Sequence, residues 1–210
     1  MKKLLALTLA IVCCLSLFAL ASCNKEPNHN QNGDGLTYTL REDGESYKVD
    51  IWARDEESGS ISQNLTILAE YKGKPVTEVA DLGSYGWQVV KHVDIPEGIT
   101  TISYQAFHGM TLDTLKLPST VTEIDFCFAG ITIQDGKLTI PAAVKKLNWQ
   151  SFGDIRGDVK ITFENTTGWY YLKGTEKISV DSSLLSDPAE VVNNLKSVLG
   201  KIDKYVIYRD

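Results

Sequence analysis

Three prolines constrain this chain most. Pro96, Pro118 and Pro141 lie 22 and 23 residues apart, and their surroundings align. Before them come Val93-Asp94-Ile95, Leu115-Lys116-Leu117 and Leu138-Thr139-Ile140. After them come Ile99 and Ile102, Val121 and Ile124, Val144 and Leu147. A small residue followed by Phe then closes each copy: Ala106-Phe107, Cys127-Phe128 and Ser151-Phe152, with Gly109 and Gly130 ending two of the turns. Fainter copies flank the set at Lys74-Pro75-Val76-Thr77-Glu78-Val79 and at Ile161-Thr162-Phe163, where Glu164 stands in place of proline. No copy is long enough to bury its own apolar face, so the copies must stack.

Within one copy, alternation on a short strand sends Leu115 and Leu117 inward and Lys116 outward. Proline then ends the strand's donor capacity and turns the chain. The second apolar pair fills the next side of the coil and the Phe fills the far side, while neighbouring coils satisfy each other's backbone in a parallel ladder. The expected fold is mainly β with short helical turns, a solenoid of about four to five coils over residues 65–167.

The stretches IPEGITTISYQAFHG (Ile95 to Gly109) and LPSTVTEIDFCFAG (Leu117 to Gly130) resemble the BspA-like leucine-rich repeats of bacterial surface proteins. The segment from Glu70 to Val79 is similar to the opening coil of that family, although Ser84-Tyr85 stands where the Ala-Phe landmark falls and the Thr132 to Gly136 stretch loosens the third boundary. The resemblance implies a surface-exposed, non-catalytic protein, with some relatives acting in adhesion or host-protein binding.

Ahead of the repeats, Met1 to Ser22 has the layout of an export signal: Lys2 and Lys3, an apolar run from Leu4 to Ala21, then small residues before Cys23. Leu20-Ala21-Ser22-Cys23 resembles the bacterial lipobox, which implies lipidation of Cys23 and a membrane as partner. An uncleaved anchor and a plain secretory cleavage remain alternatives. Loss of Lys2 and Lys3 takes the formal charge from -6 to -8. Such an acidic chain lacks the clustered cations that nucleic acid requires. Cys13 and Cys14 leave with the signal, so only Cys127 remains as a thiol and stability must come from an apolar core.

Residues 23–35 are polar and Asn/Gly-rich, which fits a flexible tether; His29 within it reads as solvated. In residues 36–64, period-two apolar residues either side of Asp43-Gly44 predict a β-hairpin cap, with a surface loop at Arg54 to Gln63. Residues 168–210 are expected to form a C-terminal cap. There Asp187-Pro188-Ala189-Glu190 starts a helix, Val191, Leu195, Val198 and Leu199 form its apolar face, Gly200 stops it, and Tyr205 to Tyr208 is a strand.

Two groups of residues are candidate contacts. Outward positions of the first strand align as His92, Thr114, Lys137 and Lys160 in one column and Asp94, Lys116, Thr139 and Thr162 in the next, either a partly basic binding sheet or ordinary solvated positions. Tyr104, Phe126 and Trp149 each fall eight residues after the repeat proline, either as an exposed stripe suited to sugar faces and partner hot spots or as packing between coils. Cys127 aligns with Ala106 and Ser151 and reads as a small packing residue. His92 and His108 accompany no nucleophile elbow, zinc helix or phosphate loop, and Glu97 and Glu123 recur at outward positions without an evident cleft. The sequence therefore favours a binding or adhesion module at the cell envelope, on the outer membrane or cell surface, recognising protein or glycan. It points to no cofactor, metal or enzymatic activity, and an accessory envelope lipoprotein is the alternative.

Overall fold

The computed structural model describes residues 35–51, 61–86, 89–200 and 205–210. The export signal, Cys23, the tether to Asp34 and most of the expected surface loop lie outside the described residues. The strands, in chain order, are β1 (Leu36–Leu40), β2 (Tyr47–Ile51), β3 (Asn64–Thr66), β4 (Glu70–Tyr71), β5 (Lys74–Val79), β6 (His92–Asp94), β7 (Thr101–Ile102) and β8 (Thr111–Leu112). They continue as β9 (Glu123–Ile124), β10 (Thr132–Ile133), β11 (Lys137–Ile140), β12 (Lys146–Asn148), β13 (Lys160–Phe163), β14 (Trp169–Lys173), β15 (Glu176–Ser179) and β16 (Val206–Arg209). Helix α1 is the short Gly83–Gly86, α2 is Val191–Leu199, and 3-10 turns occupy Trp149–Phe152 and Ser182–Leu185.

One sheet runs the length of the molecule in the order β1-β2-β5-β7-β9-β12-β16-β14-β15. Its centre is the parallel ladder β5-β7-β9-β12, built from the second, post-proline segment of each repeat. Val79, Ile102, Ile124, Leu147 and Ile207 are in register and fully buried. The expected N-terminal hairpin is present: β1 and β2 pair antiparallel, and β2 then pairs parallel with β5. Its turn is tied by Asp43, whose Oδ1 accepts the Glu45 and Ser46 N–H groups at 2.8 and 3.1 Å. These bonds and the Ser46 hydroxyl hold the Asp43 carboxyl below its ordinary pKa.

The first-strand row is not the continuous sheet that the sequence pattern predicts. β3 pairs with β6 and β11 pairs with β13, while Thr114 to Leu117 between them takes no strand conformation. The coils bond one step earlier there: β8 pairs with β10, and Asp135 donates its N–H to the Asp113 carbonyl at 3.1 Å. The third side is a stack of turns, in which Gln105, Phe107 and Gly109 donate to the Phe126, Cys127 and Ala129 carbonyls at 2.9–3.0 Å. Inside it, the rings of Phe107, Phe128 and Phe152 lie nearly parallel at 5.8 and 6.2 Å, all buried. Gly83 sits hard against the next coil, since a Cβ there would lie 2.5 Å from the His108 N and O atoms. Cys127 is fully buried in this stack, its N–H reaching Ser151 Oγ at 3.4 Å, and burial pushes its thiol well above the ordinary cysteine range.

At the C-terminal end β16 lies antiparallel between β12 and β14, and β14 forms a hairpin with β15 that the sequence pattern did not anticipate. Helix α2 buries Val191, Leu195 and Leu199, whereas Val198, expected on that face, is 38% exposed. Asp187 caps a preceding turn by accepting the Ala189 N–H at 3.0 Å, so the helix proper begins at Val191. Gly200 caps the helix end as expected, in a right-handed conformation with φ -64, its N–H donating to the Lys196 carbonyl.

Candidate binding surface

The outer face of the long sheet is a regular surface to which every coil contributes a strand. Along it Glu78, Thr101, Glu123, Lys146, Tyr208 and Tyr170 stand in register as one row. The row is knitted by charge and ring contacts. The Lys146 ammonium donates to Glu123 Oε1, which holds the Lys146 pKa above its ordinary value, and Arg41 Nε lies 3.4 Å from Glu78. Tyr170 and Tyr208 stack at 5.8 Å, with Lys177 over the Tyr170 ring at 4.3 Å. The sequence reading missed most of this row, because an apolar pair three apart does not announce a strand.

Where this face turns the corner, the aromatic column splits into two pairs. Tyr104 is 57% exposed and stacks on the half-buried Phe126 at 5.5 Å and 20°. Trp149 is buried at 8% exposure and tilts against Tyr205 at 6.4 Å, so Tyr205 takes the exposed place that the repeat spacing gave to Trp149. The Trp149 N–H donates to the Tyr205 carbonyl at 2.9 Å, which fixes the two segments to each other. The column is thus part surface and part core.

This corner also concentrates backbone strain. Phe126 (φ 43), Gln105 (φ 61) and Asp81 (φ 42) are left-handed non-glycine residues held by bonds between coils. Each such residue costs on the order of 1–3 kcal/mol, most for a bulky side chain, and persists only where its surroundings over-determine it. Beside the rings, Asn148 Nδ2 donates to Asp125 Oδ1 at 2.9 Å. Asp81 precedes Tyr104 in the stack, its N–H donating to the Tyr104 carbonyl at 3.3 Å, and its Oδ1 is buried without a hydrogen-bond partner among the described residues.

The other predicted column is brought together only in part. Lys137 faces Lys160, and Thr139 faces Thr162, as direct partners on β11 and β13, all four exposed. His92 and Asp94 sit on a separate ribbon opposite Asn64 and Thr66, with His92 Nε2 3.3 Å from Asp113 Oδ2. Thr114 and Lys116 are exposed on the irregular stretch between the ribbons. Glu97 does not face a cleft. Its carboxylate accepts the Ser119 N–H at 3.1 Å and the Ser119 hydroxyl at 2.9 Å in the next coil, which lowers its pKa. Glu164 Oε2 accepts the Ala142 N–H at 2.8 Å across another pair of coils.

A groove of ≈ 360 Å³ on the turn side is lined by Gly83, Ser84, His108, Gly109, Gly130 and Arg156. Among the described residues no group of three or more His, Cys, Asp or Glu side chains is placed to hold a metal ion.

A family model for the BspA type leucine rich repeat region matches residues 83–180 in six copies. Residues 83–180 are a BspA-type leucine-rich-repeat region. Among solved structures, a leucine-rich-repeat protein of T. pallidum is similar over 57% of this chain at 16% identity, with a TM-score of 0.39. The match spans 64% of that protein's length. No curated protein matches. BspA-type repeats are typically non-enzymatic protein-binding or adhesion-type modules, and proteins carrying them are often surface-associated in bacteria.

Proposed function

We propose that this BspA-like protein is a non-catalytic binding or adhesion module of the cell envelope, tethered through a lipid on Cys23, that recognises a protein or glycan through its solenoid surface. The observation that carries the reading is the Tyr104–Phe126 stack. A ring more than half exposed, resting flat on a second ring and set on strained backbone, is held ready for a partner and not buried for stability. The basic residues Lys116, Lys137 and Lys160 with His92 and Thr114 form a secondary contact area on the adjoining side. Trp149 supports Tyr205 from beneath and contributes through it.

The test is capture by the mature domain of defined matrix proteins, glycan panels and fractionated envelope protein, comparing wild type with Tyr104→Ala. Tyr104-dependent capture of a matrix protein or glycan is expected. Capture of an envelope protein alone assigns the accessory role, and turnover of a glycan or peptide overturns the non-catalytic reading. The anchor is tested separately: Cys23→Ser should move the protein from the membrane to the soluble fraction, and unchanged membrane association sinks the lipid assignment.

A further inference from the structure

We propose that the groove on the turn side is a docking site for a short acidic peptide segment of a partner protein, anchored through a carboxylate on Arg156. It adds a contact to the binding role proposed above and does not involve the Tyr104 ring.

Three arginines stand among the described residues, and two of them are tied into the fold. Arg41 donates to Thr77 Oγ1 at 3.0 Å and lies 3.4 Å from Glu78. Arg209 donates to the Val144 and Ala142 carbonyls and covers the Trp169 ring. The Arg156 side chain, by contrast, is exposed, lines the groove and has no hydrogen-bond or ion-pair partner among the described residues. His108 lines the same groove, exposed and equally unpartnered there, and no carboxylate is among the lining residues. The chain as a whole is acidic, with a formal charge of -6, so the groove opposes the sign of the molecule around it. Such a place favours an anion. A guanidinium presents parallel N–H donors that match the two oxygens of a carboxylate.

The shape of the groove selects the kind of anion. Its lining comes from four successive coils: Gly83 and Ser84, then His108 and Gly109, then Gly130, then Arg156. With coils about 4.8 Å apart, three steps span about 14 Å, the length of about four residues of extended chain. Gly109 and Gly130 stack directly in the middle, since a Cβ on Gly130 would lie 3.7 Å from the Gly109 Cα. Neither carries a side chain to hold a second backbone away. A peptide lying along this floor brings an Asp or Glu side chain, or a C-terminal carboxylate, to Arg156, and turns backbone carbonyls toward the His108 imidazole and the Ser84 hydroxyl at the other end. An acidic sugar fits less well, because no aromatic ring lines the groove to take the C–H face of a pyranose.

The experiment measures binding of the folded chain to a tetrapeptide array bearing Asp or Glu at each position in turn, with matched Asn, Gln and Lys peptides, followed by calorimetry on the best binder. At least one acidic peptide is expected to bind, and its Asn or Gln counterpart to bind about tenfold or more weaker. Arg156→Ala should cost about the same factor, Arg156→Lys should recover part of it by restoring the charge without the fork, and Lys196→Ala on the outside of α2 should change nothing. Thermal unfolding identifies any variant that has lost its fold, and partial recovery in Arg156→Lys ties the loss to the side chain independently. Acidic-peptide binding indifferent to Arg156 overturns the inference. So does equal binding of the Glu and Gln peptides, tighter Arg156-dependent binding of a uronic-acid oligosaccharide, or failure of every acidic peptide to bind. Tyr104-dependent capture reads the broader binding role in each of those cases, so the two readings fail separately.

Discussion

Phe128 is the middle ring of the Phe107–Phe128–Phe152 stack and touches an aromatic neighbour on each side, at 5.8 and 6.2 Å. Phe107 and Phe152 each have one ring partner among the described residues. Replacing Phe128 with Leu keeps most of the apolar burial but deletes both ring contacts. At about 0.5–1.5 kcal/mol per contact, Phe128→Leu should destabilise the domain by about 1–3 kcal/mol, and Phe107→Leu and Phe152→Leu by about half as much. Phe128→Ala also opens a cavity and belongs at the upper end of the usual range of about 3–5 kcal/mol, a large fraction of a domain's total stability. In a stacked array the stability lies in nearest-neighbour interfaces, so a residue shared by two interfaces should weigh about twice one that serves a single interface. The assay is urea unfolding followed by far-ultraviolet circular dichroism, with the free energy taken from linear extrapolation at a common m-value. If Phe128→Leu is no more destabilising than Phe107→Leu, the interface argument fails; a changed m-value would indicate instead that the array no longer unfolds as one unit.

Gly83→Ala should destabilise by about 1–3 kcal/mol in the same assay, because its Cβ meets backbone atoms that cannot rotate away; a neutral result would show that the coils can slide apart there. Ile207→Ser removes a fully buried side chain from β16 and leaves a hydroxyl to satisfy, so it should lower the melting temperature by several degrees, about 2–4 °C per kcal/mol at this chain length; an unchanged melting temperature would mean that β16 docks without contributing. For Glu97 the folded-state pKa is depressed, so its contribution is complete above the ordinary glutamate range and is lost as pH falls through the lowered value. Wild type and Glu97→Gln should therefore differ at about pH 7 and converge once the pH has fallen below the lowered value, and a gap that persists after the carboxylate is protonated would contradict the carboxylate role. Tyr104→Ala should cost no more than about 0.5–1.5 kcal/mol, the worth of its one ring contact with Phe126, and a larger loss would make the ring structural.

The sequence carried the repeat and its interior well. Leu138, Ile140, Val144, Leu147 and Phe152 were legible as core from spacing alone, and all are buried. What it misplaced was the sheet. Leu115-Lys116-Leu117 alternates as a strand should, yet the ladder runs instead through Thr101–Ile102, Glu123–Ile124 and Lys146–Asn148, where the period is three and the signal weak. Which row of a coil pairs continuously depends on how neighbouring coils meet, and no single coil encodes that. Trp149 shows the same limit at the candidate site. Its place in the column follows from the repeat, but its burial comes from Tyr205, which local pattern cannot bring to it. Tyr104 and Phe126, with no such distant ring over them among the described residues, lie where the repeat spacing put them.

The position of β16 has a consequence for the order in which the molecule assembles. Hairpin β14–β15 precedes β16 in the chain but lies beyond it in the sheet, and among the described residues β16 is the one strand that pairs it to the coils. It can close on itself early and lay Trp169 against Phe163, but its backbone joins the sheet only once the later strand has settled against β12. The last step of sheet formation is therefore a three-part zippering at one end, separated in sequence from the local coil-by-coil growth that precedes it. A refolding experiment should see it as a slower phase reported by Trp169, distinct from the consolidation of the phenylalanine stack.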